Sequence, residues 1–284
     1  MTAGETIRGL VELTRPVNVI AASVLTFIGA FVAGGVTDQS LEVAAAVGAT
    51  GLAVGAGNAI NDYFDREIDR INQPERAIPR GAVSPRGALA FSVVLFVIAV
   101  ALAVTLLPLA AIAIAGINLV ALVAYTEVFK GLPGLGNALV AYLVGSTFLF
   151  GAASVGEIGP AVVLFVLAAI ATLTREIVKD VEDVEGDREE GLNTLPIAIG
   201  ERRALVVAGG LLVLAVLASP IPYVLGYFGG TYLLVVVPAD VLMLGGAYES
   251  FENPTAGQAR LKYGMFLAAL AFIVGRTALE FGAL

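Results

Sequence analysis

The sequence predicts an all-α, polytopic membrane protein with nine transmembrane helices around a central cavity and a cytoplasmic cap. Hydrophobic residues make up 58% of the 284 residues and charged residues 14%, and the mean hydropathy is +0.91. A soluble domain carries more charge and less apolar content. Apolar runs of about 20 residues, the length that crosses a bilayer core, recur along the chain. Gly, Ala and Ser recur within these runs, as close helix packing in lipid favours.

A polar segment, residues 1–16, precedes the first apolar run and ends in a proline that suits the first turn of a helix. We predict spans at about 17–36, 41–60, 88–107, 109–126, 134–154, 160–178, 203–221, 223–247 and 264–282. The first run is long enough to cross the membrane and many similar runs follow, so we interpret it as a transmembrane helix and not as a signal peptide. Residues 1–284 are expected to form a single domain.

The basic residues predict the orientation of these spans. With nine spans, every Lys and Arg except Arg276 falls on one side of the membrane. By the positive-inside rule that side is cytoplasmic, and we expect a multi-pass protein of the cell membrane. Two long connections on this side, at about 61–87 and 179–202, carry most of the polar residues. Each is expected to hold a short helix and to cap the cavity.

The first long connection begins with an acidic stretch that follows directly on an apolar run. Asn61, Asp65 and Asp69 are spaced by four residues and would stack on one face of a helix, with Asp62 at the edge of that face. Carboxylates this close repel one another unless a cation lies among them. Oxygen ligands suit a hard ion such as Mg²⁺, which in turn suits a phosphate.

A second acidic stretch opens the other long connection. Asp180, Asp183 and Asp187 again share one helical face at the end of an apolar run. A single acidic cluster is often only a solvated loop, but two on the same side of the membrane predict a site. Mg²⁺ ions held between the two faces would be bridged by a diphosphate.

Basic residues near these stretches are candidates for binding the remaining phosphate oxygens. The candidates are Arg66, Arg76, Arg80, Lys130 and Lys179. Any one of the arginines would equally serve as a topology signal or contact a lipid headgroup. Lys130 is better placed, because it lies in the segment 125–131 at the end of the fourth span, on the same side as the acidic stretches. Tyr125 of the same segment is a further candidate for substrate binding.

Composition excludes several kinds of chemistry. Cys and His are both absent, which removes thiol chemistry, haem ligation by His and catalysis by a His base. The net charge of −8 argues against a nucleic acid partner. A diphosphate ester that is bound within a lipid-facing bundle indicates an isoprenoid substrate, whose apolar tail would lie between the helices.

Both acidic stretches carry a resemblance to a known family. Asn61-Asp62-x-x-Asp65-x-x-x-Asp69 resembles the first signature of the UbiA superfamily of intramembrane prenyltransferases, and Asp183-x-x-x-Asp187 with residues 191–196 resembles the second. The resemblance implies Mg²⁺-dependent prenyl transfer in a helical bundle with a lateral opening to lipid. It makes Asp65, Asp69, Asp183 and Asp187 the catalytic carboxylates and, with Asn61, the ligands of the Mg²⁺–diphosphate. Lys130 and Lys179 match positions that contact phosphate.

Within the superfamily, residues 14–18 and 55–65 resemble the branch that acts in archaeal ether-lipid synthesis. That resemblance implies geranylgeranyl diphosphate as donor and the free hydroxyl of geranylgeranylglyceryl phosphate as acceptor. One departure affects the basic residues, because residues 72–76 read Asn-Gln-Pro-Glu-Arg where relatives often have Asn-Arg-Pro. The basic role would then pass to Arg76 or Arg80, and these two with Arg15 are candidates for binding the acceptor phosphate.

Two alternatives remain open from the sequence. A related enzyme with an aromatic acceptor would carry the same two acidic stretches, since the shape of the pocket decides the acceptor. A membrane transporter would also have polar residues at membrane depth, and Asn118 and Asp240 lie within predicted spans. For Arg276 and Glu280 we expect a mutual ion pair, because they lie four residues apart.

Overall fold

The computed structural model describes residues 3–129 and 131–282, and these residues form helices and turns without any β-strand. A π-helical segment, Tyr125–Phe129, follows the sixth α-helix. The α-helices in chain order are α1 (Ala3–Leu13), α2 (Pro16–Val32), α3 (Ser40–Phe64), α4 (Arg66–Asn72), α5 (Pro85–Leu106), α6 (Leu109–Ala124), α7 (Leu135–Ser154), α8 (Gly159–Glu182), α9 (Val184–Glu189), α10 (Leu195–Ile199), α11 (Glu201–Ala218), α12 (Ile221–Val224), α13 (Thr231–Glu249) and α14 (Pro254–Phe281).

The predicted helical, multi-pass membrane fold is confirmed. Over 3–129 and 131–282, seven helical stretches are long and apolar enough to cross a membrane. An eighth results if α1 and α2, which meet at an angle of 49°, cross as one bent element. Helix α6 is apolar but has only 16 residues. Helices occupy the positions of all nine predicted spans, while the count of nine itself stays a prediction.

Two predicted span boundaries are wrong. The eighth span was expected from residue 223, but α13 begins only at Thr231, because α12 ends at Val224 and a turn with Gly226 at φ +74° follows. The ninth was expected from 264, but α14 begins at Pro254. The side chain of Asn253 caps that helix by accepting a hydrogen bond from the Ala256 amide at 3.0 Å.

Packing between helices brings both acidic stretches to one end of the bundle. Val43, near the start of α3, packs with Val155, which follows α7, and with Ala30 near the end of α2. Ala161, in the first turn of α8, packs in the adjoining core with Val32. Helices α3 and α8 therefore start at the same end and carry their acidic stretches to the opposite one. We call that opposite end the acidic end.

The expectation of short helices in the two long connections is confirmed. The first connection contains α4, and its later residues Ala77, Ile78 and Val83 pack on Leu13 and Ala59 in a small core of their own. The second contains α9 and α10, and the Asn193 amide donates to the Gly131 carbonyl at 2.9 Å. Both connections are thus packed onto the bundle.

An apolar cavity of about 120 Å³ lies within the bundle, lined by residues of α2, α7, α8, α11, α13 and α14. Asp240 lines it, is 7% exposed and accepts a hydrogen bond from Ser219 at 2.6 Å. Tyr232 donates to the Ser219 carbonyl at 2.7 Å. This bonding keeps a carboxyl group satisfied at membrane depth. The predicted pair of Arg276 and Glu280 is confirmed, with 3.0 Å between Nε and Oε1.

Small residues allow α2 and α7 to approach closely. A Cβ atom at Gly151 would lie 1.9 Å from the carbonyl oxygen of Thr26, and one at Gly29 would lie 2.2 Å from that of Phe148. No larger residue fits at either position unless the helices move apart. Contacts of this kind are the main source of helix association in lipid, where water does not drive apolar surfaces together.

We therefore expect Gly151→Ala to destabilise the protein by about 1–3 kcal/mol, because the added methyl group overpacks the α2–α7 contact. Gly210→Ala in α11 is the matched control, since nothing lies within 4 Å of a Cβ atom there. The measurement is the unfolding temperature of each variant in the same detergent. Equal unfolding temperatures for the two variants would contradict the assigned packing.

Candidate active site

The first acidic stretch spans the junction of α3 and α4, and this junction divides its residues between two environments. Asp65 follows the last residue of α3 and precedes the first of α4. Asn61 and Asp65 are exposed to solvent. Asp62 and Asp69 are 6% and 4% exposed. The four residues predicted to share a helical face and its edge are therefore split into an exposed pair and a buried pair.

Two arginines neutralise the buried pair. An Nη2 atom of Arg15 lies 2.6 Å from Oδ1 of Asp62, and Nη1 of Arg76 lies 2.7 Å from Oδ2 of Asp69. The same Nη1 atom is 3.5 Å from Asp62. Buried carboxylates are costly unless a cation and hydrogen bonds compensate them, so the two arginines stabilise this arrangement.

Arg15 lies at the break between α1 and α2 in an unusual backbone conformation. Its φ of 50° is the only positive value at a described residue other than glycine. The Asn58 side chain donates to the Thr14 carbonyl at 2.8 Å, one helical turn before Asp62. Residues Asn58 and Asp62 of α3 thus hold the break on both sides of Arg15. Such outliers persist where surrounding contacts over-determine the conformation, often at functional sites.

A cavity of about 460 Å³ opens beside these ion pairs, between α1, α3 and the first connection. Four arginines and three carboxylates supply its charged lining, and we call it the arginine cavity. The charged residues are Arg8, Arg15, Arg76, Arg80, Glu12, Asp62 and Glu75. All three arginines predicted to contact the acceptor line this one cavity.

The second acidic stretch is built around the end of α8. Asp180, in the last turn, accepts a hydrogen bond from Asn137 at 2.8 Å. Asp183 follows the helix and lies 3.9 Å from the Lys179 ammonium. Partial desolvation raises the pKa of Asp183, and Lys179 opposes that shift. Asp187 lies on α9.

Tyr125 lies beside this second stretch, because the charges of Glu176, Asp180 and Asp187 all act on its hydroxyl group. Arg66 instead interacts within its own segment. Its guanidinium lies 4.8 Å from the centre of the Tyr63 ring and donates to the Tyr63 carbonyl at 2.8 Å. Lys130 lies outside the described residues.

Within 3–129 and 131–282, no three carboxylates lie close enough together to hold a metal ion. The oxygen atoms of the two acidic stretches nevertheless suit Mg²⁺ as ligands. Asn61, Asp65 and Asp187 make no ion pair or side-chain hydrogen bond in the described part of the chain, so their oxygen atoms are available as ligands. Asp62 and Asp69, by contrast, already face cations.

Comparison with known proteins identifies the family. The UbiA prenyltransferase family matches residues 22–270. The chain belongs to this family. The predicted family and the predicted class of enzyme, a prenyltransferase, are thereby confirmed.

Relatives and solved structures agree with this membership. A digeranylgeranylglyceryl phosphate synthase of Natronomonas pharaonis is 66% identical over 96% of this chain and 99% of its own length. The synthase of Haloquadratum walsbyi is 61% identical over 98% and 97%. A solved structure of a digeranylgeranylglyceryl phosphate synthase is 37% identical with a TM-score of 0.83, over 96% and 99%. A UbiA homologue from Archaeoglobus fulgidus, solved with GPP and Mg²⁺, shares the fold at 18% identity and a TM-score of 0.69, over 96% and 99%.

Sequence reasoning missed three side chains that organise this UbiA-family site. Asn58 precedes Asp62 by one helical turn, and that spacing was a usable signal. Asn137 was missed because a lone amide in an apolar helix shows no pattern. Glu12 was missed because its partner Arg80 is 68 residues away in sequence. Contacts between segments that are distant in sequence produce no regular spacing of residues from which they could be predicted.

We expect Arg76→Ala to lower the free energy of unfolding by about 2 kcal/mol, because it leaves the buried Asp69 carboxylate without its cation. Adding Asp69→Asn to that variant is expected to recover part of the loss. Arg70→Ala is the control, since Arg70 is exposed and its one ion pair among residues 3–129 and 131–282 is with the exposed Glu67, at 2.8 Å. Unfolding temperatures measure all three, and equal losses for Arg76→Ala and Arg70→Ala would refute the structural role of Arg76.

Proposed function

We propose that this protein transfers a geranylgeranyl group from geranylgeranyl diphosphate to the free hydroxyl of geranylgeranylglyceryl phosphate, a step in archaeal ether-lipid synthesis. The observation that carries the proposal is the arginine cavity next to the first acidic stretch, because it offers an anionic acceptor its own cations. Relatives with 61–66% identity named digeranylgeranylglyceryl phosphate synthase support it.

The reaction forms one C–O bond, breaks another C–O bond and releases the proton of the acceptor hydroxyl. The acceptor oxygen bonds to C1 of the prenyl chain, and the bond between C1 and the diphosphate oxygen breaks. The products are the ether, diphosphate and a proton. Positive charge develops on the allylic carbon, so the chain must keep water away from it. The apolar cavity within the bundle is a candidate for part of the dry surroundings that the prenyl chain requires.

The donor head group would be bound at the acidic end. In this proposal Asn61, Asp65, Asp69, Asp183 and Asp187 hold Mg²⁺ and the diphosphate, with Asp62 and Asp180 as neighbouring carboxylates. When bound, Mg²⁺ neutralises charge that develops on the leaving diphosphate. A UbiA homologue of the same fold, solved with GPP and Mg²⁺ and again with DMAPP and Mg²⁺, supports Mg²⁺ and a prenyl diphosphate as the ligands. Lys130, Lys179, Arg66 and Tyr125 are proposed to contact the donor.

The acceptor phosphate would be bound in the arginine cavity by Arg15, Arg76 and Arg80. Arg76 contacts Asp69, a proposed metal ligand, and also lines this cavity. It therefore lies at the boundary of the two subsites. We further propose that the protein resides in the cell membrane with the acidic end in the cytoplasm, which agrees with the distribution of basic residues.

The decisive experiment is an assay of the purified protein with geranylgeranyl diphosphate, Mg²⁺ and a panel of acceptors. The panel contains geranylgeranylglyceryl phosphate, 4-hydroxybenzoate and a naphthoate. We expect product with the glycerol phosphate alone. Product with an aromatic acceptor would retain the fold and the metal site but overturn the proposed acceptor, and transport of a solute without transfer would overturn the reaction.

Asp65→Ala and Asp187→Ala are expected to reduce kcat roughly a hundredfold or more, because each removes a free oxygen ligand from the metal site. Chelation of Mg²⁺ by EDTA should abolish turnover of the unmodified enzyme. Glu157→Ala is the control, since this exposed residue lies in the connection between α7 and α8, away from the acidic end. Full activity in either aspartate variant would rule out the proposed ligand set.

A further inference from the structure

Helix α1 places a carboxylate among the arginines of the arginine cavity. One oxygen of Glu12 accepts a hydrogen bond from Nε of Arg8 at 2.9 Å, and the other accepts one from Nη2 of Arg80 at 2.5 Å. The Nη1 atom of Arg80 donates to the Glu75 carbonyl at 2.6 Å, which anchors Arg80 to the first connection. Glu12 thus lies where a bound anion would meet two of the four arginines.

The contacts of Glu12 differ from those of the buried aspartates. The Asp62 and Asp69 side chains are 9% and 6% exposed, whereas that of Glu12 is 34% exposed and its partners are at least as open. Ion pairs in contact with water contribute little, so they exchange readily. A phosphate monoester carries more negative charge than a carboxylate and offers three acceptor oxygens, so it competes well for the same arginines. Glu12 is therefore the displaceable anion of the cavity.

We infer that Glu12 is a built-in competitor for the acceptor phosphate and selects a phosphate monoester over the phosphodiesters of the surrounding membrane. The inference rests on the proposed function, because it concerns the acceptor subsite of that reaction. Glu12 is a specificity-determining residue that the incoming headgroup displaces from Arg80 and Arg8. No bond to Glu12 forms or breaks other than these ion pairs.

The charge of the cavity lining supports this selection. Four arginines and three carboxylates give a net charge of +1, and removal of Glu12 leaves +2. A phosphate monoester carries about −1.5 to −2 at pH 7, which matches the cavity without Glu12. A phosphodiester carries a single negative charge, no more than Glu12 itself, so it displaces the carboxylate poorly. Glu12 would in this way disfavour the binding of phosphodiesters, and specificity often depends on such unfavourable terms for the wrong ligand.

The location of the cavity makes such discrimination useful. Helix α1 meets α2, the first helix of the bundle, at 49°, and Ile7 and Val11 of α1 are exposed one helical turn apart. Apolar residues with this spacing allow α1 to lie against the membrane surface, at the depth of lipid headgroups. The cavity is then offered both the rare monoester acceptor and abundant phosphodiester lipids.

The test compares the full-length protein with Glu12→Gln, which removes the charge and keeps the size. At saturating donor and Mg²⁺, we expect Glu12→Gln to lower the KM for geranylgeranylglyceryl phosphate on the order of fivefold, because exposed ion pairs of this kind are weak. The kcat and the KM for the donor should not change. The difference in KM should shrink as KCl rises, because salt screens the attraction between Glu12 and its arginines.

Glu249→Gln is the matched control, because Glu249 pairs with Arg260 at 3.1 Å at the acidic end but does not line the arginine cavity. We expect wild-type kinetics from it. An unchanged or raised KM for the acceptor in Glu12→Gln would overturn the inference, because both results mean that Glu12 does not compete.

A second measurement does not require turnover. Thermal stabilisation is measured in nanodiscs that contain phosphatidic acid, a monoester, or phosphatidylglycerol, a phosphodiester. Wild-type protein is expected to be stabilised by phosphatidic acid alone, whereas Glu12→Gln should also be stabilised by phosphatidylglycerol, because no carboxylate then has to be displaced from Arg80 and Arg8. If the thermal stabilisation by the two lipids is as expected but the protein transfers no prenyl group, the proposed function is refuted and a binding site for phosphate monoesters is supported. An active enzyme with equal stabilisation by both lipids would refute the inference alone.

Discussion

The ion pair between Arg15 and Asp62 is the contact on which the acidic end depends. It joins the break between α1 and α2 to the last turn of α3, so it positions three elements that are distant in sequence. Asn58 holds the adjoining carbonyl, and Arg76 shares the Asp62 carboxylate. Because Asp62 is buried, loss of its cation would leave a charge in a poorly hydrated place. The positive φ of Arg15 is the local strain that this anchoring maintains.

The close packing of small residues transmits that local order to the second stretch. Gly29 and Gly151 bring α2 against α7, and α7 carries Asn137, which binds Asp180 of α8. A continuous series of helix contacts therefore connects the element that begins after Arg15 with the other acidic stretch. In lipid this series of contacts relies on packing and on interhelical hydrogen bonds, and both are present along it.

Much of this architecture was predictable because the bilayer imposes strict rules on sequence. The positions of the apolar helices and of the two acidic stretches follow from hydropathy and helical spacing. The predicted starts of the last two spans, at residues 223 and 264, were wrong. A glycine turn and an asparagine cap determine where these helices begin, and mean hydropathy does not report either feature. The division of Asn61 and Asp65 from Asp62 and Asp69 was not predictable, since it depends on arginines that reach them from other segments. Glu12 and Arg80 show the same limit, because a pair 68 residues apart is set by tertiary structure.

The proposed reaction must bring two anions together, and the structure offers opposite solutions for them. The proposed donor subsite is rich in carboxylates and would bind a diphosphate mainly through added cations, whereas the proposed acceptor subsite already contains four arginines. If both substrates bind as proposed, negative carboxylates and phosphates would be separated by positive arginines, so that like charges would not lie next to one another. Arg76 lies at the crossing point, since it contacts a carboxylate of one subsite and lines the other. The guanidinium group suits that position, because its fixed fork of donors can bind Asp69 and still present N–H groups to a phosphate. A lysine ammonium has no second edge to present, so Arg76→Lys would preserve the charge while weakening this link between the subsites.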